Sequence, residues 1–255
     1  MAGATGVRRR AFVDLDVIRS NATTAATAPL PDCTADLRAD AYGHGLIPVA
    51  RALTDAGVGG LLVSRVEDAA AIADEGIPLP VTVGFPAGRH ASGPANLLGP
   101  ELLGLTDAPG VAPALRLTGE IIAVKRVGAD RGVSYGYTYR TARPSTLVLV
   151  ALGYADGILR VASNKAPVLV GETTGRITGR IAMDQFVVDI GDAEAQPGDP
   201  VVLFGDPARG EPTALDWEAA LGVAAPVITS RLGRRIERHY GHWTRKAAPV
   251  MRRTP

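Results

Sequence analysis

The stretch Leu37-Arg-Ala-Asp-Ala-Tyr-Gly-His-Gly45 decides how this 255-residue chain is interpreted. It overlaps the segment 35–38, which is predicted to be a strand, and its Gly-His-Gly ending predicts a turn that exposes the His44 imidazole, a group able to titrate near neutrality. Arg38 stands at the predicted strand end. A guanidinium with a pKa above about 12 cannot supply a neutral amine, so Arg38 is expected to act as a permanent cation there.

The residues around this stretch alternate between short apolar runs and alanine-rich amphipathic segments. The pattern predicts strands at 35–38, 60–63 and 80–83 and helices at 16–25, 46–56 and 66–75. Asp16 is expected to cap the first helix, and Asp40 either pairs with Arg38 or caps the helix that follows it. Alternating strands and helices with short turns indicate parallel βα units, whose chemistry lies in the loops after the strands.

After residue 113 the pattern changes to strand-like segments separated by Gly and Pro. Strands are predicted at 114–127, 146–152, 168–170, 175–181, 186–190 and 200–204, and short helices at 214–221 and 225–232. The Asp107-Ala-Pro-Gly110 segment between the two patterns predicts a boundary between domains at 1–110 and 111–255. Residues 1–15 are a candidate strand of the second domain.

Composition excludes several classes of function. The net charge is +1 with no long run of like charges, which argues against binding to nucleic acid or to a membrane surface. No segment reaches about 18 uninterrupted apolar residues, and Cys33 is the only cysteine, which suits a reducing compartment. We therefore expect a soluble, cytoplasmic protein. The four histidines lack zinc-site spacing, so no metal is predicted.

Several segments, in the same order along the chain, resemble the alanine racemase family. They are residues 12–21, 37–45, 113–125, 133–138, 153–160, 163–164, 179–185 and 231–235. The resemblance implies a (β/α) barrel followed by a C-terminal β-domain, and a lysine carrying pyridoxal phosphate where this chain has Arg38. A complete barrel needs at least about 200 residues, so the resemblance also implies a truncated, incomplete barrel.

The resemblance implies a site shared between two subunits. Tyr135 matches a tyrosine that the β-domain of one subunit presents to the barrel of the other, where it acts as an acid or base. Arg38 is then an anion anchor, and its charge could lower the pKa of that tyrosine. Tyr42 matches a phosphate-contacting tyrosine, and His44 is the neighbouring candidate for substrate binding.

Five further residues of the β-domain are candidates for substrate binding. Tyr154, Asp156 and Arg160 belong to a motif that in the family lines the substrate entrance across the dimer. Met183 and Asp184 match a strand-end pair that faces the substrate carboxylate. The alternative is that all five build the dimer interface.

Three functions follow as hypotheses. The first is an enzyme that has lost pyridoxal phosphate, uses no cofactor, and catalyses isomerisation, epimerisation, cyclisation or elimination beside a carbonyl of a small molecule, in specialised metabolite biosynthesis. The second is a pyridoxal-phosphate alanine or amino-acid racemase. It requires one of the three lysines to reach the cofactor, of which Lys165 is the least implausible, or external-aldimine chemistry without an internal aldimine. The third is a non-catalytic dimeric binding protein. The first two share a head-to-tail homodimer.

Overall fold

The first half of the chain forms a parallel sheet flanked by helices. The computed structural model describes residues 6–84 and 96–241. In chain order the elements of this half are β1 (Arg9–Val13), α1 (Leu15–Ala25), β2 (Thr34–Asp36), α2 (Leu46–Ala56), β3 (Gly60–Val63), α3 (Val66–Asp74), β4 (Val81–Val83) and β5 (Leu97–Leu98). Four of the strands form one sheet in the order β4-β3-β2-β5, and every neighbouring pair is parallel.

The second half forms a mostly antiparallel sheet. Its elements are β6 (Leu115–Val127), β7 (Gly132–Val133), β8 (Tyr139–Arg140), β9 (Ser145–Val150), β10 (Pro167–Val170), β11 (Thr173–Thr178), β12 (Phe186–Asp189), β13 (Pro200–Phe204), α4 (Ala214–Leu221), α5 (Ala225–Ser230) and β14 (Glu237–Tyr240). The strand order is β13-β10-β11-β12-β9-β6-β1-β14, and β13 also pairs with β6. That second pairing closes six strands into a ring.

The architecture confirms the fold predicted from the sequence, a partial barrel with a β-domain. The strand β1 belongs to the larger sheet, where it lies between β6 and β14. The predicted cap of the first helix is wrong: Asp14, not Asp16, caps α1, because its Oδ1 accepts the backbone N–H groups of Asp16 and Val17 at 3.1 and 3.2 Å. Asp16 instead lies in the first turn, where its charge favours the helix dipole.

The partial barrel has a buried interior and one open side. All four residues of β3 are buried, and α1 packs against α2, with Ile18 of α1 and Leu53 of α2 both fully buried. Among the described residues no strand lies beyond β4, and Val83 is exposed there. An unpaired strand edge is a place where another chain can pair, so we predict that the β-domain or a partner subunit covers this edge.

No helix within residues 6–84 and 96–241 combines the length and the apolar character required to cross a bilayer.

Candidate active site

β2 ends at Asp36, two residues before the predicted end of the strand, and residues 39–42 form a left-handed turn. Residues 39–42 have φ values between 50° and 59°, and none is a glycine. Such a conformation costs about 1–2 kcal/mol per residue, so it persists only where its surroundings hold it. Asp40 supplies part of that support: its side chain accepts the first N–H of α2, from Leu46, at 2.7 Å, and its carbonyl accepts the Gly45 N–H.

The C-terminal segment packs directly on this turn. A Cβ added to Gly43 would lie 2.1 Å from the carbonyl oxygen of Thr229 in α5, and one added to Gly45 would lie 2.0 Å from the hydroxyl of Tyr240 in β14. Arg238, also in β14, donates from Nε to the Gly43 carbonyl at 2.9 Å. The two glycines are required because a side chain at either position would push the two domains apart.

His44 is fully buried by this packing. Our prediction that the turn exposes an imidazole able to titrate near neutrality is therefore wrong. Nδ1 lies 3.1 Å from the Ala41 carbonyl and 3.2 Å from the Tyr42 carbonyl, and Nε2 is buried without a hydrogen-bond partner. Burial lowers the pKa of His44 to about 4. The neutral ring is part of the turn's support and lies out of reach of a substrate.

Arg38, Asp36 and Tyr42 form one hydrogen-bonded cluster at the end of β2. Arg38 donates from Nε and Nη2 to the two oxygens of Asp36 at 2.8 and 2.5 Å, and the Tyr42 hydroxyl donates to Asp36 Oδ2 at 2.7 Å. Asp36 is 2% exposed and Arg38 is 26% exposed. The cluster is therefore a largely buried ion pair with a phenol attached to it.

The three pKa shifts in the cluster have a common origin. Burial favours the protonated form of Asp36, but the hydrogen bonds from Arg38 and Tyr42 outweigh it and hold the pKa of Asp36 below its usual value. The hydrogen bond to Asp36 raises the pKa of Arg38. Burial, followed by the bond to Asp36, raises the pKa of Tyr42. Tyr42 is consequently a poor source of phenolate, and Arg38 stays charged.

Asp36 is the residue that sequence reasoning missed. The signal is a carboxylate inside a predicted strand, two residues before Arg38. A charge inside a buried parallel strand requires a partner, and the nearest available cation on the same strand face is at position 38.

Tyr135 lies on the β-domain in a short 3₁₀ turn, Tyr135–Tyr137, and its side chain is 67% exposed. Beside it is a groove of about 250 Å³ lined by Leu149, Ala182, Gln185 and Phe186, among others. The turn is fixed by the preceding Ser134, which donates to the Arg180 carbonyl at 2.5 Å. The phenol is thus presented outward from a rigid support.

The β-domain places Tyr154, Arg160 and Met183 close to one another at its surface. The Arg160 guanidinium lies over the Tyr154 ring, 5.7 Å from its centroid, and both side chains line a depression of about 690 Å³. The carbonyl of Met183 accepts the N–H of Ala155 at 2.9 Å, and the Met183 side chain is 52% exposed. These side chains are available to a ligand or to a partner subunit.

Asp156 and Asp184 are joined by Arg235. Arg235 contacts Asp184 at 2.6 Å and Asp156 at 3.1 Å, and Arg9 of β1 approaches Asp156 at 3.4 Å. Asp156 is fully buried and also accepts the N–H of Gly153 at 2.8 Å. Its position suits the support of the 153–157 turn and not contact with a substrate.

The predicted site residues therefore fall into three groups. Arg38, Tyr42 and His44 lie at the turn of the barrel domain, Tyr135 lies at its own groove, and the remaining five lie around the 153–157 turn. The first and third groups are linked through the segment after α5, since the Gly233 N–H binds the Asp156 carbonyl at 2.9 Å and α5 covers Gly43. Tyr135 shares no hydrogen bond with the Arg38 cluster among the described contacts.

The fold and these groups define a two-domain class, in which a parallel α/β unit carries the left-handed turn with the Arg38 cluster and a β-domain carries an exposed tyrosine. The profile of the alanine racemase N-terminal domain matches residues 13–93, and that of the C-terminal domain matches residues 114–240. The chain belongs to the alanine racemase family.

Individual relatives support the same assignment. Alanine racemase of Frankia casuarinae is 52% identical over 142 residues, and that of Thermobifida fusca is 50% identical over 134 residues. These matches cover 56% and 52% of this chain but only 37% and 36% of the relatives. Alanine racemase from the D-cycloserine producer Streptomyces lavendulae has a TM-score of 0.83 at 27% identity, over 92% of this chain and 97% of that one. The chain thus matches little more than a third of the length of these curated relatives.

The comparisons contradict our prediction of an enzyme without pyridoxal phosphate. The relatives that are 50–52% identical to the matched part of this chain are alanine racemases, which use that cofactor. The leading hypothesis of cofactor-independent acid/base chemistry, including the cyclase and lyase alternatives, is therefore not supported. The racemase hypothesis is favoured in its place.

The residues at the end of β2 do not fit covalent attachment of pyridoxal phosphate. The position that carries the lysine in the family holds Arg38, whose guanidinium is bound by the buried Asp36. Lys125 and Lys165 are exposed on the β-domain, and Lys246, like His90 and His242, lies outside the described residues. No group of three metal-ligating side chains occurs in the described parts of the chain.

Proposed function

We propose that this chain is an amino-acid racemase of the alanine racemase class, with alanine as its substrate and pyridoxal phosphate as the cofactor expected from its relatives. The observation that carries the proposal is the presentation of Tyr135, exposed on a fixed turn beside a groove, in a chain that matches both domains of the family. Because covalent attachment at position 38 does not fit, we assign roles only to this chain's own residues.

Tyr135 is proposed as the group that moves the proton at the α-carbon of the substrate. Its hydroxyl is accessible, and a positioned acid or base of this kind contributes about 10²–10⁴-fold to rate. Tyr154, Arg160 and Met183 are proposed to line the approach to it, because they share one exposed surface of the same domain.

A homodimer is part of the proposal. The barrel turn and Tyr135 lie on different domains, and one chain leaves Tyr135 largely uncovered. A head-to-tail pair would bring the Tyr135 of one subunit to the barrel turn of the other. The sheet edge at β4 is a second surface that a partner subunit is expected to cover.

The test is the conversion of L-alanine to D-alanine by the purified full chain with added pyridoxal phosphate, followed by chiral chromatography. We expect D-alanine with the wild-type chain and a loss of at least about 100-fold for Tyr135→Phe. Tyr137→Phe is the matched control, since Tyr137 is equally exposed on the same turn and has no assigned role. Absence of D-alanine from a folded, dimeric wild-type protein would overturn the proposal in favour of the non-catalytic alternative.

A further inference from the structure

The hydrogen-bond acceptor sites of the Asp36 carboxylate are all occupied by donors from residues that follow β2. Oδ1 accepts the backbone N–H of Arg38 at 3.1 Å and its Nε at 2.8 Å, while Oδ2 accepts Nη2 at 2.5 Å and the Tyr42 hydroxyl at 2.7 Å. A carboxylate has about four acceptor sites. All of them are used here by two residues, and Asp36 is only 2% exposed.

This arrangement determines which form of an amine can exist at position 38. A buried carboxylate without a cation is costly, and removal of its partner leaves that cost uncompensated. A lysine placed at position 38 would therefore be held beside Asp36 as an ammonium group. An ammonium group has no lone pair, so it cannot attack an aldehyde carbon.

We propose that Asp36 is a positioning residue that, together with Arg38, closes this strand end to covalent capture of an aldehyde cofactor. The arginine at position 38 is then only one of two features that prevent capture, and the aspartate at position 36 is the other. Restoring a lysine there would not restore capture unless the charge at position 36 is also removed. This inference goes beyond the proposed function, because it concerns the chemistry of positions 36 and 38 and does not depend on racemisation being observed.

The reaction that probes it is imine formation with pyridoxal phosphate. The lone pair of a neutral lysine amine attacks the aldehyde carbon, the nitrogen loses two protons, and the carbonyl oxygen leaves as water. Borohydride then delivers hydride to the carbon, and a proton from solvent joins the nitrogen. The product is a stable secondary amine that marks the reacting lysine.

The experiment compares the full-length wild-type chain with Arg38→Lys, Asp36→Asn and the double variant Asp36→Asn/Arg38→Lys. Asparagine keeps the shape of aspartate and removes its charge. Each protein is incubated with pyridoxal phosphate, reduced with borohydride, and digested, and the label at position 38 is quantified by mass spectrometry. Lys125 and Lys165 are exposed in every variant and serve as internal references for non-specific labelling.

We expect no label at position 38 in the wild type or in Asp36→Asn, and little in Arg38→Lys. The double variant should be labelled at least tenfold more than Arg38→Lys at pH 7, because an opposite charge at this distance shifts a pKa by about 1–3 units. The pH at which labelling of position 38 is half-maximal should be at least about one unit lower in the double variant. A purely structural role for Asp36 would not shift that profile.

Equal labelling of Arg38→Lys and the double variant would overturn the inference, as would the absence of label from a folded double variant. Circular dichroism of each variant establishes that it is folded. A wild-type chain that fails to racemise alanine would refute the proposed function and leave this labelling result unchanged, so the two failures are distinguishable.

Discussion

The strand end that precedes the left-handed turn contains a largely buried ion pair between Asp36 and Arg38, and each charge depends on the other. Asp36 is buried at the end of β2, and the Nε and Nη2 atoms of Arg38 compensate its charge at 2.8 and 2.5 Å from its two carboxylate oxygens. Replacing a whole buried pair by apolar residues is often tolerated, whereas removing one member leaves a buried charge. The pair is therefore expected to show strong coupling.

The variant Arg38→Leu should lower the free energy of unfolding by about 3 kcal/mol. The double variant Asp36→Leu/Arg38→Leu should recover at least half of that loss, because no charge remains buried. Urea denaturation of wild type, both single variants and the double variant measures the coupling. Additive losses would show that the pair does not act as a unit.

His44 gives the fold a dependence on pH. Its pKa is about 4 in the folded protein because of burial, and about 6.5 when the chain is unfolded. Between these values the unfolded state binds a proton that the folded state does not, so stability falls as the pH decreases from 6.5 to 4. The loss is on the order of 3 kcal/mol.

Urea denaturation at several pH values between 4.5 and 6.5 tests this. The wild type should become progressively less stable toward acid in that interval, and His44→Asn should show a markedly smaller slope, whatever its stability at pH 7. Equal slopes in the two proteins would contradict the burial of a neutral imidazole.

Of the residues around the left-handed turn, only some have roles that the sequence can predict. The sequence alone identifies Arg38 as a permanent cation, because a guanidinium cannot supply a neutral amine whether it is buried or exposed. The role of Asp36 was missed because a carboxylate near a predicted strand end suggests a solvated turn until its burial is known. The burial of His44 depends on α5 and β14, which lie almost two hundred residues away, and no local pattern reports such a contact.

At the scale of elements, the unusual feature is a left-handed turn built from non-glycine residues. Ala39 has φ 54° and ψ 47°, and its side chain is exposed. The strain is balanced by the support from Asp40 and by the packing of Gly43 on α5. An exposed position of this kind should prefer glycine.

The substitution Ala39→Gly should raise the free energy of unfolding by up to about 1 kcal/mol. Ala70→Gly is the matched control: Ala70 is an exposed residue within α3, so the same change should lower stability by about 1 kcal/mol. Thermal denaturation of both variants gives the signs. A loss at position 39 equal to that at position 70 would argue against the left-handed conformation.

Most elements could be predicted from their sequences. The strand 60–63 and the helix 46–56 have the predicted bounds, because hydrophobic periodicity reports local burial directly. The predicted strand at 35–38 ended two residues early, at Asp36. Leu37 has the apolar side chain expected of a strand residue, but its backbone is not extended, with φ −112° and ψ 20°. A left-handed turn of non-glycine residues has no sequence signature.

In the whole molecule, the proposed shared site requires two subunits. The partial barrel has an uncovered edge at β4 among the described residues, and Tyr135 is exposed on the other domain. Sedimentation equilibrium of the full chain at micromolar concentration should therefore report a dimer. A compact monomer would contradict the shared site and require a different explanation for the exposed edge.

The proposed racemase function requires that this chain move the α-proton of alanine through Tyr135. The most direct measurement is proton NMR of L-alanine in D₂O with the full chain and pyridoxal phosphate, following the α-proton signal. We predict that the signal is lost with the wild-type and Tyr137→Phe proteins and is retained with Tyr135→Phe. An α-proton that remains intact in the presence of folded, dimeric wild-type protein, or that exchanges equally fast with Tyr135→Phe, would contradict the claim.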